Sequence, residues 1–300
     1  MGTAWTVRAS WSGFARALLA QGEEIEEIDI FARECGVPVP GRPPLATIQT
    51  PFEALPRWQD RFTGNRHLHW TDGLPFNFDP PEKWQERPAL LRALDLMAHW
   101  ARVDPSETPW LELPLLLQRM GFVDQVLPNI VAGDKALRVA PTDREAIVMR
   151  FLRSIATAAE DGLAQLSAIE ADRLRAAGTF SREHRLGKLQ ALVALLIKRP
   201  LLSPTLVSET LSLSISGAGK LLDRAQSLGL CREVSGRMVW RLYLAPDLAT
   251  RFGFVKPPRG RPAAPPPPLG SLDSILSAFD AEMAAIDALL GREYFEAKSD

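Results

Sequence analysis

The stretch that most narrows the fold runs from residue 185 to 244, where three short helical patterns are followed by two alternating ones across a glycine turn. Leu189, Leu192, Val193, Leu196 and Ile197 recur at helical spacing, and the pattern stops at Pro200. Ser203 stands where it can cap a second helix carrying Leu206, Val207 and Leu211, and a short turn follows at Ser212–Ser214. A third helix is expected from Ser214 or Ile215 to Leu228, with Leu221, Leu222 and Ala225 on its inner face and Gly229 as its stop. Leu230–Val234 and Met238–Tyr243 then alternate on either side of Ser235-Gly236, which predicts a β-hairpin.

Three helices with a hairpin behind the third form a winged helix-turn-helix, a unit suited to placing its third helix in the major groove of DNA. The candidate contacts on that helix are Ser214, Ser216, Gly217, Lys220, Arg224 and Gln226. Ser216 and Gly217 would let the backbone approach closely and direct amides at phosphate. Arg237 at the wing tip, with Arg232 and Arg241 beside it, can reach backbone or minor groove, and Lys198 and Arg199 can add phosphate contacts from the first helix. Charge supports this reading. Residues 179–262 hold 14 Lys and Arg against 5 Asp and Glu, a net of +9, whereas the remainder, with 21 basic and 31 acidic residues, is −10. Winged helices also serve as protein-docking modules; the basic charge is what favours DNA. The run Ser216-Gly217-Ala218-Gly219-Lys220 is not a phosphate loop, because Ser214 stands at the first glycine position and Leu221 where a magnesium-binding hydroxyl is needed.

The basic region ends in Lys256-Pro257-Pro258-Arg259-Gly260-Arg261-Pro262. Its centre resembles the core of the AT-hook family, which implies that Arg259 and Arg261, on either side of Gly260, lie in the minor groove of A·T-rich duplex. The further basic residues common in that family are replaced by Ala263-Ala264. Pro265–Pro268 form a stiff spacer. Beyond it Leu272, Ile275, Leu276, Phe279, Met283, Ile286, Leu289 and Leu290 predict an amphipathic helix. Its apolar face is expected either to fold back on the N-terminal region or to pair with a second copy as a homodimer.

The earlier part of the chain reads as helical over 5–35. There the acidic run Glu23-Glu24-Ile25-Glu26-Glu27 suits a solvated face better than a catalytic carboxylate pair. Ten prolines between Pro38 and Pro88 break any long helix, while Trp58, Trp70, Phe76, Phe78 and Trp84 predict an irregular arm packed on a helical core. His67 and His69 have a metal-compatible spacing but no further Cys or His nearby, so no metal site is expected. Residues 89–178 read as all helical. Stripes run through Leu90, Leu91, Leu94, Met97 and Ala98, and through Trp110, Leu113, Leu116 and Leu117 to a stop at Gly121. A long helix capped by Thr142 or Asp143, with Glu145 suggesting a capping box, carries Ile147, Phe151, Ile155, Ala158, Leu163, Leu166 and Ile169. Two distant cysteines, no bilayer-length apolar run and no signal-like N-terminus predict a cytoplasmic, nucleoid-associated protein.

The expected architecture is mainly α. It comprises N-terminal helices and a Pro/aromatic-rich arm (1–88), a helical bundle (89–178), the winged helix-turn-helix (179–254), a Pro-rich hook (255–270) and an amphipathic helix (271–295). The segment from Lys198-Arg199-Pro200-Leu201-Leu202-Ser203 through Leu228-Gly229-Leu230-Cys231-Arg232-Glu233-Val234-Ser235-Gly236-Arg237 resembles the plasmid-borne proteins of rhizobia and related bacteria that end in a helix-turn-helix domain. A weaker likeness extends back through Trp110–Arg138 and the long helix after Thr142. The resemblance implies a DNA-binding C-terminal domain. The unit is also similar to the winged helix that follows the catalytic domain of Fic-type AMP transferases, but their signature HPFxDGNGR is missing, which argues against transfer chemistry. With no nucleophile elbow, metal cluster or phosphate loop, the expectation is a non-enzymatic, cofactor-free partner of double-stranded, A·T-rich DNA, most simply a transcriptional regulator. The alternatives are a structural protein of plasmid replication, partition or the nucleoid, and a degenerate Fic-like protein-interaction module.

Overall fold

The computed structural model describes residues 2–39, 41–42, 51–62, 69–139, 143–237 and 240–256. Among them are ten α-helices and one small antiparallel sheet, so the chain is mainly α. No helix among the described residues is long and apolar enough to cross a membrane. The hook residues Arg259, Gly260 and Arg261, the proline spacer and the C-terminal amphipathic stretch lie outside the described residues, as does His67.

The N-terminal stretch expected as one helical region is two helices, α1 (Gly2–Gln21) and α2 (Glu27–Cys35). The Glu26 amide donates to the Asp29 carboxylate at 3.0 Å to start α2, and Gly36, at φ +69°, ends it. The acidic run between and into the helices is not idle. Glu27 accepts from Ser12 and pairs with Arg251 at 2.8 Å, and Glu26 pairs with Arg42.

α1 is the hub: Phe14, Ala17 and Leu18 are fully buried, and the helix touches α2 as well as the four helices introduced next. These are α3 (Ala54–Asp60), α5 (Thr108–Arg119), the long α6 (Arg144–Phe180) and α7 (Leu189–Lys198). The proline-rich arm contributes α3 and an aromatic cluster. Trp58 donates to the Leu111 carbonyl at 2.7 Å, while Trp84, nearly fully buried, stacks near Trp70 and Phe78 and donates to Asp95. That cluster covers α4 (Ala89–Val103).

The region 89–178 is not helical throughout. Between Gly121, at φ +72°, and Asp143 the described chain is irregular apart from one 3-10 turn, Lys135–Arg138. Asp143 caps α6 by accepting from the Ala146 amide, leaving Glu145 out of capping-box register. At 37 residues α6 is about 55 Å long and buries Ile147, Phe151, Ala158 and Ile169, whereas Leu163 turns out to solvent. Gly162 on α6 meets Asn129 so closely that a Cβ would sit 2.0 Å from its Nδ2, and Asn129 uses that approach to donate to the Ala158 carbonyl.

The C-terminal helices and strands follow as α7, β1 (Leu201–Leu202), α8 (Pro204–Leu211), α9 (Ile215–Ser227), β2 (Arg232–Glu233), β3 (Tyr243–Leu244) and α10 (Pro246–Arg251). The sheet order is β1-β3-β2, with Leu201 opposite Leu244 and Arg232 opposite Leu244 on the other side. Strand β1 and helix α10 were not expected. Two leucines between Pro200 and Ser203 show no alternation to read, and α10 is a short turn started by Pro246.

Leu201, Leu202, Tyr243 and Leu244 are all fully buried, but in two different cores. Leu201, Leu242 and Leu244 join the large core of α1–α6, while Leu202 and Tyr243 join a second core under α7, α8 and α9. Alternation along a strand sends neighbours to opposite faces, so the sheet is a shared wall. Residues 1–256 accordingly form one compact unit, and the segments expected to part at 88 and 178 are pieces of it.

Arg8 reinforces this union. It is 2% exposed, donates to the carbonyls of Leu196 and Ile197 at the C-terminal end of α7, at 2.9 and 3.0 Å, and faces Asp247 of α10 at 3.4 Å. Burial lowers the Arg8 pKa and raises that of Asp247, each partly countered by the other's charge. Arg8→Met strands a buried carboxylate and two carbonyls, and is expected to lower unfolding free energy by about 3–5 kcal/mol in urea titrations. Adding Asp247→Leu should restore more than half of that loss. No recovery would show that the carbonyl contacts, not the ion pair, dominate.

Candidate nucleic-acid interface

α9 starts at Ser214, whose hydroxyl accepts from the Gly217 amide at 3.1 Å. A Cβ on Gly217 would come within 3.1 Å of that oxygen, so the cap favours glycine there. The turn before it is held by Ser208, which donates to the Leu213 carbonyl, and by Ser212 at φ +49°. Ala218, Leu222 and Ala225 are buried against α8, with Leu221 half-buried. The opposite face exposes Ser214, Ile215, Ser216, Lys220, Asp223 and Ser227.

The residues singled out from sequence fall into two groups. Lys198, Arg199, Lys220, Arg232, Arg237 and Lys256 are exposed and, among the described residues, form no ion pair. The others are tied into the fold. Arg224 pairs with Glu183 and donates to the Arg185 carbonyl, both at 2.6 Å, bracing the connection between α6 and α7. Arg241 pairs with Asp223 at 2.5 Å and lies over the ring of Tyr243, whose hydroxyl donates to the same carboxylate at 2.9 Å. Gln226 is half-buried, and its Oε1 has no partner among the described residues.

The Asp223, Arg241 and Tyr243 cluster fixes the hairpin to α9. Its electrostatics are self-consistent. The Arg241 hydrogen bond first, then Tyr243, hold Asp223 below the ordinary aspartate range, and Asp223 raises the Arg241 pKa in return. Burial, then the bond to Asp223, pushes the Tyr243 hydroxyl up, so it remains a donor.

The hairpin departs from the expected strand over Met238–Tyr243. Pairing is limited to β2 and β3, extended by the Val234 amide donating to Leu242 at 2.9 Å. Met238 and Val239 lie outside the described residues. Trp240 has φ +65°, a left-handed backbone that no strand residue adopts and that costs about 1–2 kcal/mol outside glycine. Burial explains where pairing resumes: Leu242 must enter one core and Tyr243 the other. Glu233 closes the near side of the loop by accepting from the Ser235 and Gly236 amides at 2.8 and 3.2 Å.

Between this loop, the N-terminal turns of α8 and α9, and the Val37–Val39 segment after α2 lies a cleft of about 780 Å³. Arg237, Trp240 and Arg241 line its hairpin side, and Ile215 and Thr205 its helical side. Glu209 contributes an exposed carboxylate. Burial pushes the Cys35 thiol at the end of α2 up to about 11, an effect partly offset by its Leu201 backbone hydrogen bond and by the charges of Arg8 and Arg199. Sequence reasoning missed Ile215 and Trp240, which are 62% and 78% exposed. An isoleucine in a Ser-Ile-Ser turn was a faint signal, whereas a tryptophan inside an apolar run gave none. His69 bonds Thr71, and no cluster of potential metal ligands exists among the described residues. No protein-family model, curated protein or solved structure matches the chain.

The Asp223 cluster makes a pH prediction. Because its folded pKa is depressed, Asp223 adds stability above the unfolded aspartate value, and that contribution is lost as pH falls through the folded one. Asp223→Asn should therefore be less stable than the wild type at pH 7 and converge on it below roughly pH 3.9 in urea titrations. A gap that stays constant across this range would place the effect elsewhere.

Proposed function

We propose that residues 179–254 form a winged helix that binds double-stranded DNA, with α9 in the major groove and the hairpin loop over the adjacent backbone or minor groove. The order α7, β1, α8, α9, β2, β3 supports this reading, as does a third helix whose outer face exposes Ser216, Lys220 and Ser227.

The observation that carries it is a sorting of charge. Of the five acidic residues in residues 179–256, Glu183, Asp223 and Asp247 are paired with arginine and Glu233 caps its own loop, leaving Glu209. Nine of the twelve basic residues of the same stretch stay exposed without an ion pair among the described residues, the other three being Arg224, Arg241 and Arg251. Internal pairing thus consumes the negative charge and leaves the positive charge outward, the pattern expected where a polyanion docks.

Within this reading Lys220 is the base-reading candidate on α9. Arg237, Arg232, Lys198 and Arg199 take phosphates, and Arg224 and Arg241 are braces. The Arg259-Gly260-Arg261 hook would extend the contact into A·T-rich minor groove. Regulation of transcription from a defined operator is the biological role proposed, without catalysis.

Selection of bound duplexes from a random pool, then binding isotherms across salt, tests this. A selected sequence should bind with an affinity that falls steeply with salt, and Arg237→Ala should reduce the log–log slope by about 0.9. Lys220→Ala should weaken the selected site by about 1–3 kcal/mol and relax its sequence preference. Arg224→Ala should instead lower stability. Failure of the folded protein to bind any duplex at low ionic strength would refute the proposal. The hook has its own control: Arg259→Ala with Arg261→Ala should weaken A·T-flanked sites more than G·C-flanked ones, and equal losses would remove it.

A further inference from the structure

Trp240 is the most exposed large apolar side chain among the described residues, at 78%. Six of the other tryptophans are no more than 6% exposed, so the fold buries this side chain wherever it can. At 240 it does the opposite, and does so on a left-handed backbone that glycine or asparagine would adopt with less strain. The next residue, Arg241, is fastened to Asp223 of α9, which anchors the backbone one residue from the indole to that helix. Arg237 stands exposed at the other side of the cleft's hairpin wall with no ion pair among the described residues, and Ile215 opens α9 across the cleft. An aromatic ring held outward at an energetic cost, beside free guanidinium charge and on a strut from a groove-binding helix, is an arrangement for a π-stacked polyanion.

Building on the DNA-binding reading above, we propose that Trp240 is a wedge. With α9 in the major groove, the wing carries the indole into the neighbouring minor groove, where it opens one base-pair step and bends the duplex. Arg237 neutralises phosphate beside it. Pyrimidine–purine steps, which unstack most readily, are the favoured point of entry.

The test uses the full chain on its selected duplex, with end-to-end energy transfer to read the bend and permanganate to read unstacked thymines. The wild-type complex should be bent and show reactive thymines at one step under the wing. Trp240→Ala should keep the same core sequence but bind about 5–20-fold more weakly, with a straighter duplex and protected thymines. Trp240→Phe should keep part of both signals. Trp240→Gly, which removes the ring and the backbone strain together, should fold with unchanged or higher thermal stability, so that its loss of bending cannot be put down to misfolding. A wild-type complex that is straight and unreactive, or a Trp240→Ala complex as bent and as tight as wild type, overturns the wedge and leaves DNA binding standing. Absence of any duplex binding by the wild type overturns both.

Discussion

The burial of both faces of a sheet whose strands are two residues long is the constraint on which the rest of the structure depends. A sheet this short has too few ladder hydrogen bonds to be stable alone. It persists because Leu201, Leu242 and Leu244 fill one core while Leu202 and Tyr243 fill another. The hairpin therefore has no freedom to rotate against the bundle: turning it would move both sets of side chains out of place. Arg8 locks the same junction from α1, supplying donors to the last carbonyls of α7. The helices that prepare the candidate interface are thus held by the N-terminal two thirds of the chain.

That junction also explains why some arginines are unavailable. A module attached this tightly needs polar braces where its elements cross, and Arg224, Arg241 and Arg8 each meet an acidic partner there. The exposed Lys220, Arg232 and Arg237 lie away from such crossings. Sequence counts give both groups the same charge. Only the geometry separates arginines that hold the fold from cations left exposed to solvent.

Local signals in the chain were legible where they concern a few consecutive residues. Asp143, Ser203 and Ser214 cap the helices they precede, because a short side-chain oxygen reaches an amide two or three residues on whatever the rest of the chain does. Gly121 and Gly229 follow helix ends with the positive φ that the pattern demanded. The stretch between Gly121 and Asp143 carries no helical stripe of its own, and the all-helical expectation for 89–178 extended to it only from the patterns on either side. Its residues are instead pinned by contacts such as Asn129 with Ala158, far along the chain.

By itself, then, the amino-acid sequence determined the helical character, the order of α7, α8 and α9 with the caps of the last two, and the concentration of basic charge in the final third. These follow from short-range hydrogen bonding and from periodicity, which need no knowledge of distant residues. The tertiary structure decided which of those charges remain free, where the hairpin pairs, and that Trp240 faces solvent. Each of these depends on which side chains win a place in two competing cores, and that contest joins residues as far apart in the chain as Trp11 and Ala249.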